Sequence, residues 1–159
     1  MNKGNKRNLI AGQVYEEYLV KKLNNLGVFA TLCRSVEIHP SLDAQMMDIC
    51  PVDSNLKFPY HIQAKSTVKT VQYYKLLEDM DQFIKDNRIP VILHKKTVNE
   101  SNRYLTQGSY AILFENDFFR VIKELESYRK AYQELMQFWD TIPEEYKNET
   151  HQNLKDLNL

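Results

Sequence analysis

MMDICPVDSNLKFPYHIQAK, residues 46–65, reads as two short strands joined by a turn. The first is expected over 46–52 and the second over 59–67, with Asp53, Ser54 and Asn55 as turn residues. Side chains alternate faces along a strand. His61, Gln63 and Lys65 therefore share one face, and Ile62 and Ala64 share the other. In the first strand Asp48 opposes Met47 and Ile49 in the same way. The pattern describes a sheet with apolar residues packed below and Asp, Gln and Lys presented above.

The chain has 159 residues, which suits one globular core, and 43% of them are hydrophobic. No repeat, linker or apolar run long enough for a membrane span interrupts it. The basic start, MNKGNKRN, lacks the apolar stretch of a secretory signal, and the expected location is cytoplasmic. Two cysteines, Cys33 and Cys50, read as buried reduced thiols; His39 and His61 do not complete a zinc pattern with them. Net charge is zero, but residues 1–110 hold 15 Lys/Arg against 11 Asp/Glu and the remainder 6 against 10. A basic first part and an acidic extension are compatible with a local nucleic-acid face.

Three segments are expected: a flexible basic terminus (1–8), an α/β core (9–120) and a C-terminal helical extension (121–159). Lys3, Lys6 and Arg7 belong either to a solvated terminus or to an arm that touches phosphates. Apolar spacings of three and four predict a helix over 9–26, through Ile10, Val14, Tyr18, Leu19, Leu23 and Leu26. Asn8 reads as its N-cap and Gly27 as its stop. A strand over 28–38 ends at His39-Pro40. Asp43 then either orders the connection or sits near a metal. A helix over 71–87, capped by Thr70, carries the stripe Tyr73, Leu77, Met80 and Ile84, flanked by Tyr74 and Phe83. PVILHKK, 90–96, reads as a buried strand whose end presents Lys95 and Lys96, either solvated or in contact with a ligand. SYAILFE, 109–115, is the last strand. Asn116 caps a helix over 117–140 with a heptad-like seam: Val121, Leu125, Tyr128, Tyr132, Leu135 and Trp139. Beyond Pro143 the tail is polar, with a short helix from Glu144.

Asp48 followed by Gln63-Ala64-Lys65 on the neighbouring strand resembles the core of the PD-(D/E)xK nuclease superfamily. Gly12-Gln13-Val14-Tyr15-Glu16 resembles the G-x-x-x-E segment that many of its members carry on the first helix. The likeness covers roughly residues 8–120. It implies a mixed central sheet flanked by helices, a restriction-endonuclease-like core, here with a long C-terminal helix added. The run from Gln63 to Lys96 is also similar to phage-type Holliday-junction resolvases and related phage endonucleases, whose setting would be a bacterial host cell.

The resemblance implies a metal-dependent DNA endonuclease using Mg2+, with Mn2+ as a substitute. Asp48, Gln63 and Glu16 would hold the metal, and the Ala64 carbonyl would add a ligand. Lys65 would orient water or stabilise transition-state charge. Glu17, one step round the helix, is solvated. Gln63 departs from the commoner acid and removes one negative charge. Lys3, Lys6, Arg7, His61, Lys95 and Lys96 are the candidate DNA contacts. A homodimer, through the C-terminal helix, would place two sites on one branched DNA. A second reading is a non-catalytic DNA-binding or virion-associated protein on a retained nuclease fold. A third is a small interaction protein that uses the 121–139 seam.

Overall fold

The computed structural model describes residues 3–35, 42, 44–53, 58–100, 103–144 and 146–147, with side chains from residue 9 onward except at Ser35 and Tyr104. The elements are α1 (Lys3–Asn25), β1 (Ala30–Leu32), a 3-10 turn (Cys33–Ser35), β2 (Ile49–Pro51), β3 (Tyr60–Thr67), α2 (Tyr73–Asp81), β4 (Ile89–Glu100), β5 (Arg103–Ile112) and α3 (Glu115–Thr141). They make an α/β fold on a five-stranded mixed sheet in the order β1-β2-β3-β4-β5. Only β3 and β4 run parallel; the other neighbours are antiparallel. The parallel pair is joined through α2, as a crossover requires. The chain divides into two compact units, residues 1–115 and 116–159.

Each helix of the first unit covers one face of the sheet. Tyr15 and Leu19 of α1 pack with Ala30, Ile49, Ile62 and Ala64, and Leu93 joins from β4. Leu77 and Met80 of α2 pack with Ile92, joined by Ile112. The register agrees: Ala64 pairs Leu93 on the α1 side, and Gln63 pairs Ile92 on the α2 side. Cys33 and Cys50 are free thiols, both buried in the α1-side core.

Helix α1 ends where glycine ends it. Gly27 has φ 77°, its N–H donates to Asn24 O at 3.0 Å, and the Val28 N–H donates to Leu23 O at 3.0 Å. That double bond is the Schellman closure, which favours glycine at the left-handed position. The start differs from expectation: the helix begins at Lys3, so Asn8 lies within it. The buried line also differs. Tyr15 and Leu19 are buried, whereas Ile10, Val14 and Tyr18 are each about half exposed. Strands β1 and β2 are three residues each, so the sheet beneath α1 is narrow and covers one strip of it.

Several boundaries move for local reasons. Strand β1 stops at Leu32 because the chain winds into the 3-10 turn. Met46 has φ 61°, which no strand residue adopts, so β2 starts after Asp48. Helix α2 is shorter than expected and its N-cap is Gln72, not Thr70. It closes in tight turns, with Phe83 N–H to Met80 O at 3.0 Å and Ile84 N–H to Asp81 O at 3.1 Å. Strands β4 and β5 form a longer hairpin than PVILHKK and SYAILFE indicate. Pairing slips between Lys96 and Thr97, since Lys96 faces Gly108 but Thr97 faces Thr106, which leaves Gln107 as the extra residue of a bulge. Helix α3 begins at Glu115, so Asn116 lies in its first turn. The amides of Tyr146 and Lys147 bond to Pro143 O, one helical turn. No helix among the described residues is long and apolar enough to cross a membrane. The expectations for His39, Pro40, Asp43, Ser54 and Asn55, for the side chains of Lys3, Lys6 and Arg7, and for the tail from residue 148 lie outside the described residues.

The two stripes of α1 separate by mutation. Leu19→Ala should destabilise the chain by about 2–5 kcal/mol. Ile10→Ala and Val14→Ala should each cost less than about 0.5 kcal/mol, as surface changes do. Urea unfolding of the three variants is the measurement; equal losses would mean that the exposed stripe is packed.

Candidate functional site

Asp48 is the centre of the polar group on the sheet. Its own amide donates to Ile62 O at 2.8 Å, and its carbonyl accepts the Cys33 N–H at 2.9 Å. The side chain then reaches across to β3. Oδ2 accepts the Ala64 N–H at 2.7 Å and a hydrogen bond from Gln63 Nε2. The carboxylate is therefore held by a backbone amide and a side-chain amide of the next strand. Both bonds run to an ionised acceptor and are the stronger class of protein hydrogen bond.

Gln63 is buried and Lys65 is half-buried, on the same face two residues further along β3. Lys65 makes no side-chain hydrogen bond or ion pair with the described residues. Its parallel partner across to β4 is His94. The imidazole of His94 is fully buried, and its Nδ1 shares a 2.6 Å hydrogen bond with the Tyr73 hydroxyl of α2. Burial pushes the His94 pKa down, the nearby Lys96 charge adds to this, and the Thr67 backbone opposes it. Nothing in the motif that drew attention to Gln63 and Lys65 marked His94; the strand register does.

Glu16 comes from α1, which covers the other face. Its carboxylate forms an ion pair with Arg34, and the two side chains are 16% and 33% exposed. Arg34 directly follows Cys33, whose amide bonds to Asp48. The structure thus brings Asp48 and Gln63 together and sets Lys65 on their face, while Glu16 pairs with Arg34 on the α1 side. Arg34 was missed in the sequence. The signal for it is simple: it is the one cation between Lys22 and Lys57, a stretch that holds Glu37, Asp43, Asp48 and Asp53.

Three expected DNA contacts are corrected or reassigned. His61 is fully buried, so it presents nothing to a phosphate. Its Nε2 lies 2.8 Å from Gln45 O and fastens the turn before Asp48 to β3. Burial lowers its pKa, the Gln45 carbonyl opposes this, and the Arg88 charge lowers it further. Lys95 and Lys96 do not form one basic cluster, because successive strand residues point to opposite faces. Lys95 Nζ sits 5.8 Å from the Tyr15 ring centre on the α1 side. Lys96 Nζ donates to Val68 O at 2.6 Å and holds the loop that follows β3.

Past the end of β3, beside Ala11 of α1, lies a cavity of about 460 Å3, and Lys65 is not among its lining residues. Ser66, Thr67, Lys69, Thr97 and Asn99 supply its polar lining, and Ala11 of α1 closes one side. Hydroxyls, an amide and one ammonium, with no acid, suit an anionic or sugar-bearing ligand. Among the described residues no group of three or more His, Cys, Asp or Glu is arranged to hold a metal ion. Asp48 and the Gln63 amide offer hard oxygens, which suit magnesium better than a soft metal, while Glu16 is engaged with Arg34.

The chain matches no protein-family model, and no curated protein or solved structure matches it. Its site has to be read from its own residues.

The buried imidazoles set a pH response. His61 and His94 have folded pKa values below the ordinary 6.5, so the unfolded chain takes up protons first as pH falls. Their contribution is complete above about pH 6.5 and is lost as pH drops below it toward the lowered folded values. Thermal melting from pH 7.5 to 5 should therefore show a falling Tm, and the fall should be shallower in His94→Gln. A slope unchanged by that substitution would mean that His94 titrates normally in the folded chain.

Proposed function

We propose that this chain is a metal-dependent endonuclease that hydrolyses phosphodiester bonds in DNA, with branched or four-way junctions as the favoured substrate. The observation that carries the reading is the Asp48 carboxylate joined to Gln63 and Ala64 of the adjacent strand, with the unpaired Lys65 next on the same face. This is the strand-to-strand order of the nuclease motif that the sequence resembles.

Hydrolysis needs water to attack phosphorus, charge on the phosphate oxygens to be offset, and the departing sugar oxygen to gain a proton. Mg2+ held by Asp48 and Gln63 would, when bound, supply Lewis-acid stabilisation of that charge. Asp48 has its direction fixed by the Ala64 amide, so it needs little reorganisation to serve as a ligand. Gln63 would turn its amide oxygen, rather than its Nε2, toward the ion. Lys65 contributes a mobile positive charge beside the attacked phosphate. His94, held by Tyr73, is the neighbour of Lys65 across to β4.

The second reading is a DNA-binding or virion-associated protein without catalysis. One observation favours it: Glu16 and Asp48 both already have partners, in Arg34 and in Gln63 with Ala64. An acid site that is satisfied internally has less to gain from a metal.

Asp48→Asn and Lys65→Ala separate the two readings. The first keeps the shape but removes the charge, so calorimetric Mg2+ affinity and junction cleavage should both collapse. The second should lose roughly 100-fold or more in cleavage while metal still binds. DNA affinity should fall only modestly in both, since most phosphate contacts lie elsewhere. Cleavage by Lys65→Ala at the wild-type rate, or no cleavage of linear, flapped or four-way DNA by the wild type with Mg2+ or Mn2+, leaves the binding-protein reading.

A further inference from the structure

Helix α3 carries Phe118, Val121, Leu125, Tyr128, Tyr132, Leu135 and Trp139 at alternating steps of three and four. These are three heptads, with residues 118, 125, 132 and 139 at a and residues 121, 128 and 135 at d. The helix buries none of its residues within the chain. Leu125, Tyr128, Tyr132 and Leu135 are 57%, 75%, 62% and 60% exposed. The apolar stretch from Leu125 to Leu135, open to water between the half-buried Val121 and Trp139, is what interaction surfaces look like. Apolar character alone does not identify the cover. The flanking charges do.

Glu124 falls at g and Arg129 at e. In a parallel pair of helices, each g residue meets the e residue five positions on in its neighbour. Glu124 of each copy then meets Arg129 of the other, twice by symmetry. The next g–e contact is Ala131 with Met136, which widens the apolar seam. An antiparallel pair in the register that uses the seam through Trp139 brings e against e. Arg129 then faces its own copy, and Glu124 meets apolar residues. In the single chain Arg129 pairs with Glu126 at 3.2 Å, but the two side chains are 68% and 57% exposed. So exposed a pair holds weakly and leaves Arg129 able to turn.

We propose that the seam is covered by a second copy of this chain, with the two α3 helices parallel and in register. The proposal rests on α3 alone and stands whether or not the first unit cleaves DNA. It has a geometric consequence. The two chains enter the pair at the same end, with their Glu115 residues about 10 Å apart, a helix-packing distance. An antiparallel pair would separate them by about 40 Å, the length of the 27-residue helix.

Sedimentation equilibrium on the full chain should show a dimer. Leu125→Asp should weaken it at least about tenfold, or about 1.4 kcal/mol. Glu124→Arg should weaken it, and Glu124→Arg with Arg129→Glu should restore it. Both charged positions are exposed, so these two variants remain informative even if Leu125→Asp unfolds. Phe118→Cys should cross-link to itself under mild oxidation, and a mixture of Phe118→Cys with Trp139→Cys should give no cross-link between the two. A chain that stays monomeric to roughly 100 μM, a dimer indifferent to the charge swap, or a 118–139 cross-link would overturn the proposal.

Discussion

The fold around the polar group depends on one carboxylate. Strands β1 and β2 are three residues each, too short to fix a register by pairing alone. Asp48 supplies what they lack. Its carbonyl takes the Cys33 amide beyond β1, its amide bonds to Ile62 O, and its side chain takes the Ala64 amide of β3. One residue therefore ties the ends of β1 and β2 to the middle of β3. A hydrogen bond to an ionised acceptor contributes about 1.5–3 kcal/mol, so the side-chain bond is as large as the burial of a good core residue. Under the proposed nuclease reading, the group that sets the register is also the acid of the site.

The buried histidines support the same node from both sides. His61 fixes the turn that precedes Asp48 by bonding to Gln45 O. His94 fixes α2 over the sheet through Tyr73. Both are kept neutral by burial, which makes them suitable as uncharged struts in a core and unsuitable as phosphate contacts.

Much of this was legible in the sequence wherever a period and a burial coincide. The alternation of Ile62 and Ala64 against Gln63 and Lys65 predicted the two faces of β3 correctly, and Gly27 marked the end of α1. The failures have a common cause. The β4–β5 hairpin beyond Lys96 is exposed on much of its surface, so it carries no apolar alternation to read. Ile10, Val14 and Tyr18 carry a helical period but no burial, because the period reports an apolar stripe and not what lies beneath it. His61 looked like a surface group because its parity matched Gln63 and Lys65; the turn that carries Gln45, bonded to its ring, makes it core. Arg34 was invisible because its role comes from the end of β1 meeting α1, a contact between residues eighteen apart.

The charges of the site are arranged as pairs that a substrate of opposite halves would exchange. Glu16 holds Arg34, and Asp48 holds the Gln63 and Ala64 amides, while Lys65 stands alone. A metal ion without a phosphate would draw on Glu16 and Asp48 but leave Arg34 without its carboxylate. A phosphate without a metal would draw on Arg34 and Lys65 and take the Arg34 guanidinium from Glu16, and each side chain of that pair is at least two-thirds removed from water. Breaking a partly buried pair from one side alone is costly, whereas supplying both partners at once conserves the number of opposite-charge contacts. Under the proposed nuclease reading, cation and DNA therefore bind this site better together than either does alone. The ion pair between Glu16 and Arg34 is then the resting closure of the site, and the Asp48 carboxylate is the part that does not have to move.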